Sequence, residues 1–137
     1  MVYLGILAVI VVHWFADFVL QTHEEATNKS TSFKWLVSHT STYSIVWSYA
    51  MIIYTCPVWS WNEGNPNTMP YFLTFILVFP IITFILHTLT DYYTSKLNSR
   101  LWKEGRVHDF FVAIGFDQVL HYIQLFGTFY LLNLLWN

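Results

Sequence analysis

Charge is what this sequence has least of. Only 10% of its 137 residues are Asp, Glu, Lys or Arg, against roughly 25% in a typical soluble domain. Six Lys and Arg stand against eight Asp and Glu, a net charge of -2. No polybasic surface exists to release counterions from DNA or RNA, so no nucleic-acid partner is expected. The single cysteine, Cys56, excludes an internal disulfide, and no CxxC or Cys/His finger spacing occurs, which removes dithiol redox chemistry and structural zinc fingers. Solenoid-length repeats and low-complexity tracts are also missing. The opening segment lacks the basic start and small-residue cleavage site of a signal peptide, and His13 and Asp17 interrupt its apolar run. It reads as a retained helix.

What the chain does have is apolar bulk: 55% hydrophobic and 20% aromatic residues. About 20 apolar residues cross a bilayer as a helix, and four stretches qualify: residues 2–20, 35–56, 70–90 and 110–136. The expected architecture is therefore all-α, one transmembrane domain over residues 1–137 built as a four-helix bundle. Polar connections separate the spans at Gln21 to Lys34, around Asn62-Glu63-Gly64-Asn65-Pro66-Asn67, and at Asp91 to Asp109. In the third, Lys96, Arg100, Lys103 and Arg106 alternate with Leu97, Leu101 and Trp102, the pattern of a short amphipathic interfacial helix before the last span. All six basic residues lie in the first and third connections. The positive-inside rule places both in the cytoplasm, with both termini on the other side of the membrane.

The ionisable residues inside the spans carry the functional signal. His13 and Asp17, His39 and Tyr43, His87 and Asp91, and Asp117 and His121 are each spaced i, i+4, which sets both members on one helix face about a turn apart. An aspartate at the centre of a span costs about 2.5–3.5 kcal/mol to insert, so these faces must turn inward and meet. Depth agrees. At 1.5 Å per residue from the inferred cytoplasmic ends, His13, His39, His87 and Asp117 lie about 12, 8, 13 and 12 Å deep. Helices one and three carry their pairs late and helices two and four early, so one constellation is expected in the cytoplasmic half.

Four histidines and three aspartates form a ligand set for a divalent metal, zinc first, with manganese or iron as alternatives. His13, Asp17, His39, His87, Asp91, Asp117 and His121 are the candidate ligands, and Asp17, Asp91 and Asp117 the candidate general bases. Two ions about 3.5–4 Å apart could share a carboxylate, although one ion is the safer count, and either member of a pair can ligate directly or an aspartate can orient a ligating histidine. The alternative is an ion-free hydrogen-bonded network that fixes the bundle. Gln21 and Gln118 extend the polar faces, as substrate contacts or as partners that orient the ligands, with a simple interfacial hydrogen bond equally compatible; Lys34 and Lys96 lie where an anionic headgroup would sit, although interfacial snorkelling is the commoner explanation for such lysines. His23 and His108 read as surface residues. Trp14, Trp35, Trp47, Trp59, Trp61 and Trp136 read as aromatic-belt or packing residues, and Pro80 as a kink in the third span.

Taken in order, His13-Trp-Phe-Ala-Asp17-Phe-Val-Leu-Gln21, Lys34 with His39-Thr-Ser-Thr-Tyr43, His87-Thr-Leu-Thr-Asp91 with Lys96, and Phe116-Asp117-Gln118-Val-Leu-His121 resemble the family of small bacterial and phage inner-membrane proteins known as domain of unknown function 3307. The resemblance covers nearly the whole chain and implies an architecture and a site, with no established reaction. In layout alone the chain is similar to membrane-bound metal-dependent hydrolases, whose Asp-His and Arg-x-x-Thr-His patterns it lacks.

Three functions are compatible with these residues: metal-dependent hydrolysis of a lipid or lipid-linked substrate, proton or metal-ion transport by a homo-oligomer, and an interaction protein with a purely structural polar network. A conduit needs polar residues through the far half of the membrane. There the sequence offers only Ser48, Thr55, Thr74, Thr128 and Asn133, which favours a closed-ended pocket facing membrane lipid.

Overall fold

In a computed structural model, which describes residues 2–61 and 64–136, the chain is all-α. Asn62 and Glu63 of the expected turn, and the side chains of Trp59 and Trp61, lie outside the described residues. Helix α1 (Val2–Trp14) runs on through a π-helical turn, Phe15–Val19; short α2 (His23–Asn28) follows, then α3 (Phe33–Trp61). Helix α4 (Thr68–Leu73) passes through a second π-helical turn, Thr74–Val78, into α5 (Phe79–Lys103), and α6 (Val107–Leu134) returns.

The expected kink at Pro80 takes the form of that second π-helical turn. A proline removes one backbone donor and crowds the preceding turn. Widening the helix immediately before it, with Phe79 N–H bonded to Thr74 C=O, lets Thr68–Lys103 continue as one 36-residue helix.

The separate interfacial helix expected before the last span is not formed. Its residues are helical but prolong α5 without a break as far as Lys103. Nothing between Thr90 and Lys103 interrupts a helix, and the first residue able to is Gly105, at φ +69°. There the helix closes in a Schellman-type turn, with Gly105 N–H on Trp102 C=O (3.1 Å) and Arg106 N–H on Leu101 C=O (3.0 Å).

Two helices among the described residues, Thr68–Lys103 and Val107–Leu134, are long and apolar enough to cross a membrane, and Gly5–Val19 is a shorter apolar helix. Helix α3 has the length but is diluted by hydroxyl side chains. Several of these satisfy themselves on their own helix: Ser44 Oγ donates to Thr40 C=O (2.8 Å), Ser48 Oγ to Ser44 C=O (3.2 Å) and Thr55 Oγ1 to Met51 C=O (2.7 Å).

The buried interior is part apolar and part polar. Its apolar core is small and aromatic, with Tyr43, Trp47, Met51, Phe75, Phe79, Leu125 and Leu132 buried between α3, the α4–α5 helix and α6. Next to it every His and Asp of the i, i+4 pairs is buried, while Leu7, Ile53, Leu77, Ile81, Ile123 and Leu131 are exposed.

Candidate metal centre

Asp17 sits within the first π-helical turn, where Leu20 N–H reaches back five residues to Phe15 C=O (3.0 Å). Such turns displace a side chain from the regular helical path and recur at functional sites. From α3, His39 Nε2 donates to Asp17 Oδ1 at 3.0 Å and lies 3.2 Å from His87 Nε2 of α5. His87 Nε2 is 3.5 Å from Asp17 Oδ1, and Asp91 Oδ2 is 3.4 Å from His39 Nε2 and 3.7 Å from His87 Nε2. Five of the six separations among the four ligand atoms thus fall between 3.0 and 3.7 Å, and all four residues offer ligand atoms within 4.8 Å of one another. Ligands bound at about 2.0–2.1 Å around one tetrahedral ion stand about 3.3–3.4 Å apart.

A second buried group overlaps the first. Asp17, Asp117 and His121 offer ligand atoms within 4.8 Å of one another, as do Asp17, His39, His87 and Asp91, so Asp17 is common to both. His121 Nε2 lies 3.4 Å from Asp117 Oδ1 and donates to Asp91 Oδ1 at 3.2 Å. Six of the seven expected ligands therefore belong to these groups, and the donor set of imidazole nitrogens and carboxylate oxygens suits zinc, manganese or iron.

His13 is buried beside them but falls outside both groups. Its Nε2–H donates to Gln118 Oε1 and its Nδ1 accepts from the Tyr43 hydroxyl, both at 2.7 Å. Gln118 relays this order, its Nε2 donating to Asp117 Oδ2 (3.1 Å) and Asp17 Oδ2 (3.3 Å). Tyr43 also stacks on His87, with ring centroids 3.9 Å apart. The i, i+4 partner expected from α3 thus supports histidines from two other helices.

Lys29, which sequence reasoning placed only as a basic residue of the first connection, enters the cluster. Its Nζ donates to Asp91 Oδ2 at 2.7 Å. Burial pushes the ammonium's pKa down, but the carboxylates of Asp91 and Asp17 outweigh it, and the pKa stands above the usual lysine value. Lys29 arrives there because α2 folds back on the bundle. Thr22 and Glu25 form a reciprocal capping box, with Glu25 N–H on Thr22 Oγ1 (3.2 Å) and Thr22 N–H on Glu25 Oε2 (2.9 Å), and Ser38 Oγ of α3 donates to Glu25 Oε1 (2.7 Å). The Thr-x-x-Glu signature is visible in the sequence; the reach of Lys29 across to Asp91 is not.

On the side of the first and third connections the cluster opens into a cavity of about 500 Å3, lined by Asp17, Asp117 and Gln118 at its base and by Gln21 and Lys29 above. Lys34 and Lys96 do not line it; Lys34 Nζ packs over the Trp35 ring (5.1 Å) and Lys96 Nζ over the Tyr92 ring (3.4 Å). On the other side a space of only about 10 Å3, lined by Tyr43, Thr83, His87 and His121 among others, separates the cluster from the aromatic core.

With this geometry in view, a comparison with known families becomes decisive: residues 6–135 match the family model described as "Protein of unknown function (DUF3307)". The chain belongs to the DUF3307 family. The match takes in all four elements of the cluster, so the DUF3307 region and the candidate metal centre coincide. No curated protein and no solved structure matches the chain.

Proposed function

We propose that this DUF3307 protein is a multi-pass inner-membrane protein that performs metal-dependent, hydrolase-like chemistry on a lipid or lipid-linked substrate reaching it from the cytoplasmic leaflet. The carrying observation is the close-set, buried group Asp17, His39, His87 and Asp91 beneath a cavity of about 500 Å3. Asp17 would bridge to a second position formed with Asp117 and His121. An ion held there supplies Lewis-acid activation of water and of the scissile oxygen.

The chain's own groups supply the rest. Asp117, which lines the cavity and has His121 Nε2 3.4 Å from its Oδ1, suits the general base that takes a proton from water. Asp91 is committed to Lys29, His39 and His121 and acts as an anchor. His13 and Gln118 hold Asp17 and Asp117 in place. Lys34, over the half-buried Trp35 ring, and Lys96, over the exposed Tyr92 ring, meet headgroups at the membrane surface rather than in the cavity.

Membrane residence is supported by the two span-length helices and by the exposed apolar flanks, which would promote association in water. The closed far side favours an enzyme over a conduit. Past the 10 Å3 space, which holds about one water, Trp47, Phe75 and Phe79 fill the path.

Metal-loaded protein in proteoliposomes is expected to turn over a phospholipid or polyprenyl phosphate, with His87→Ala losing metal and turnover together. Proton or divalent-ion flux that Asp91→Asn stops, with no lipid product, would replace the enzyme reading with transport.

A further inference from the structure

The cavity above the cluster has a single cation on its wall. Among its described lining residues only Lys29 is positively charged, while Asp17 and Asp117 are negative. Asp91, bonded to Lys29 Nζ at 2.7 Å, adds a third carboxylate. Three carboxylates against one ammonium repel an anion from the metal-free site. Histidines ligate through neutral rings, so one divalent ion in the cluster cancels the negative excess and a second reverses it. The same cavity then attracts an anion.

Lys29 can meet that anion without leaving Asp91. An ammonium carries three donors, and Asp91 is its one hydrogen-bonded partner among the described residues. The side chain lines the cavity and is 18% exposed, and the Thr22–Glu25 capping box with its Ser38 bond fixes the helix that carries it. A second part of the wall is apolar. Gln118 ties the first helix to α6 through His13 (2.7 Å) and Asp17 (3.3 Å). Beyond that tie, toward the first and third connections, the cavity is lined by Phe18 from the first helix and by Ile114 and Phe111 from α6. Phe18 and Phe111 are exposed. A free phosphate gains nothing from such a wall, whereas a hydrocarbon chain does. The volume of about 500 Å3 lies within the range of small-molecule sites, about 300–1,000 Å3.

We propose that the metal-loaded cavity binds the phosphate group of a lipid, with Lys29 donating to a phosphate oxygen and the hydrocarbon tail leaving between Phe18 and Phe111. The proposal rests on the metal-dependent, lipid-directed reading above and deepens it by naming the headgroup and the residue that recognises it. Binding is ordered: the ions come first, because without them the carboxylates exclude the phosphate. Lys29 acts as a point charge of the kind that binds phosphate elsewhere.

Native mass spectrometry of the purified full chain, zinc-loaded or stripped with chelator, tests this with hexadecylphosphonate, whose carbon–phosphorus bond resists hydrolysis, beside hexadecanol and methylphosphonate. The zinc-loaded chain is expected to retain hexadecylphosphonate at least about tenfold better than the stripped chain does, and at least about tenfold better than it retains either other probe. Lys29→Met is expected to lower that retention about tenfold at unchanged zinc content, and Lys29→Arg to keep it. Should Lys29→Met fail to fold, acetic anhydride labelling of the zinc-loaded parent decides. Hexadecylphosphonate is expected to slow modification of Lys29 at least about fivefold relative to Lys34 and Lys96. Equal retention by the stripped chain, hexadecanol or methylphosphonate held as well as hexadecylphosphonate, or a folded Lys29→Met that binds like the parent would each overturn the proposal. So would a Lys29 that is closed to the reagent before the phosphonate is added, or unprotected by it. Zinc measured on the same samples keeps the two readings apart. A chain that takes up no zinc defeats the metal reading and this proposal with it, whereas one that holds zinc but not hexadecylphosphonate defeats the proposal alone.

Discussion

Replacing Lys29 by methionine keeps the side-chain stem and removes the ammonium that bonds Asp91 Oδ2 at 2.7 Å. The two side chains are 18% and 3% exposed, so the aspartate left behind is a buried carboxylate close to Asp17 and Asp117. Removing one partner of a buried ion pair typically costs about 3–5 kcal/mol. Partial exposure of the lysine, together with the contacts of His39 and His121 to the same aspartate (3.4 and 3.2 Å), sets the expectation at the low end, about 3 kcal/mol. Reversible unfolding in mixed detergent micelles measures it. Adding Asp91→Asn to Lys29→Met removes the stranded charge and is expected to recover about 2 kcal/mol, a coupling within the range of contacting pairs. If Lys29→Met cost less than about 0.5 kcal/mol, the ordinary effect of a surface substitution, then Lys29 would not be seated on Asp91 in the native protein.

Thr22→Ala breaks the capping box that starts α2 and is expected to cost about 1 kcal/mol while loosening the delivery of Lys29; hydrogen exchange of residues 23–28 would rise with it. Glu25 supplies a pH signature. Burial raises its carboxyl pKa, but hydrogen bonds from Ser38 and Thr22 outweigh this and leave it below the ordinary value of 4.5. A depressed carboxyl stabilises the fold fully above that value and loses the contribution as pH falls through the lower folded-state pKa. The stability gap between the parent and Glu25→Gln should therefore be constant above pH 4.5 and shrink below it; a gap unchanged at low pH would contradict the contact. For topology, a cytoplasm-active reporter fused after Ser95 should work and one fused after Asn137 should be silent. The opposite pattern inverts the orientation.

The cluster was legible because its rule is local. An i, i+4 pair on each of four helices sets His39, His87, Asp91, Asp117 and His121 to one face each, and a carboxylate on an apolar helix is costly unless it turns inward to a partner, so those faces are expected to meet. What escaped depends on contacts between segments distant in sequence. Lys29 and Asp91 are 62 residues apart, and no spacing joins them. His13 shares the His–Asp spacing of the others, yet Gln118 and Tyr43 occupy both its nitrogens, a distinction made by neighbours on other helices. The π-helical turns at Phe15–Val19 and Thr74–Val78 have no sequence signature beyond the nearby Pro80. The amphipathic charge pattern after Asp91 suggests a helix of its own. With no breaker before Gly105, continuity of α5 prevailed.

The central claim is that the six buried residues Asp17, His39, His87, Asp91, Asp117 and His121 hold metal. Elemental analysis of protein purified without chelator, beside His87→Ala and His13→Gln variants of equal melting temperature, tests it most directly. The account predicts about one or two equivalents of zinc, manganese or iron per chain, a loss of at least half in His87→Ala, and near-parental content in His13→Gln. Protein that remains folded but holds less than about a tenth of an equivalent, even after loading with zinc and dialysis, would contradict it and leave the cluster as a hydrogen-bonded network.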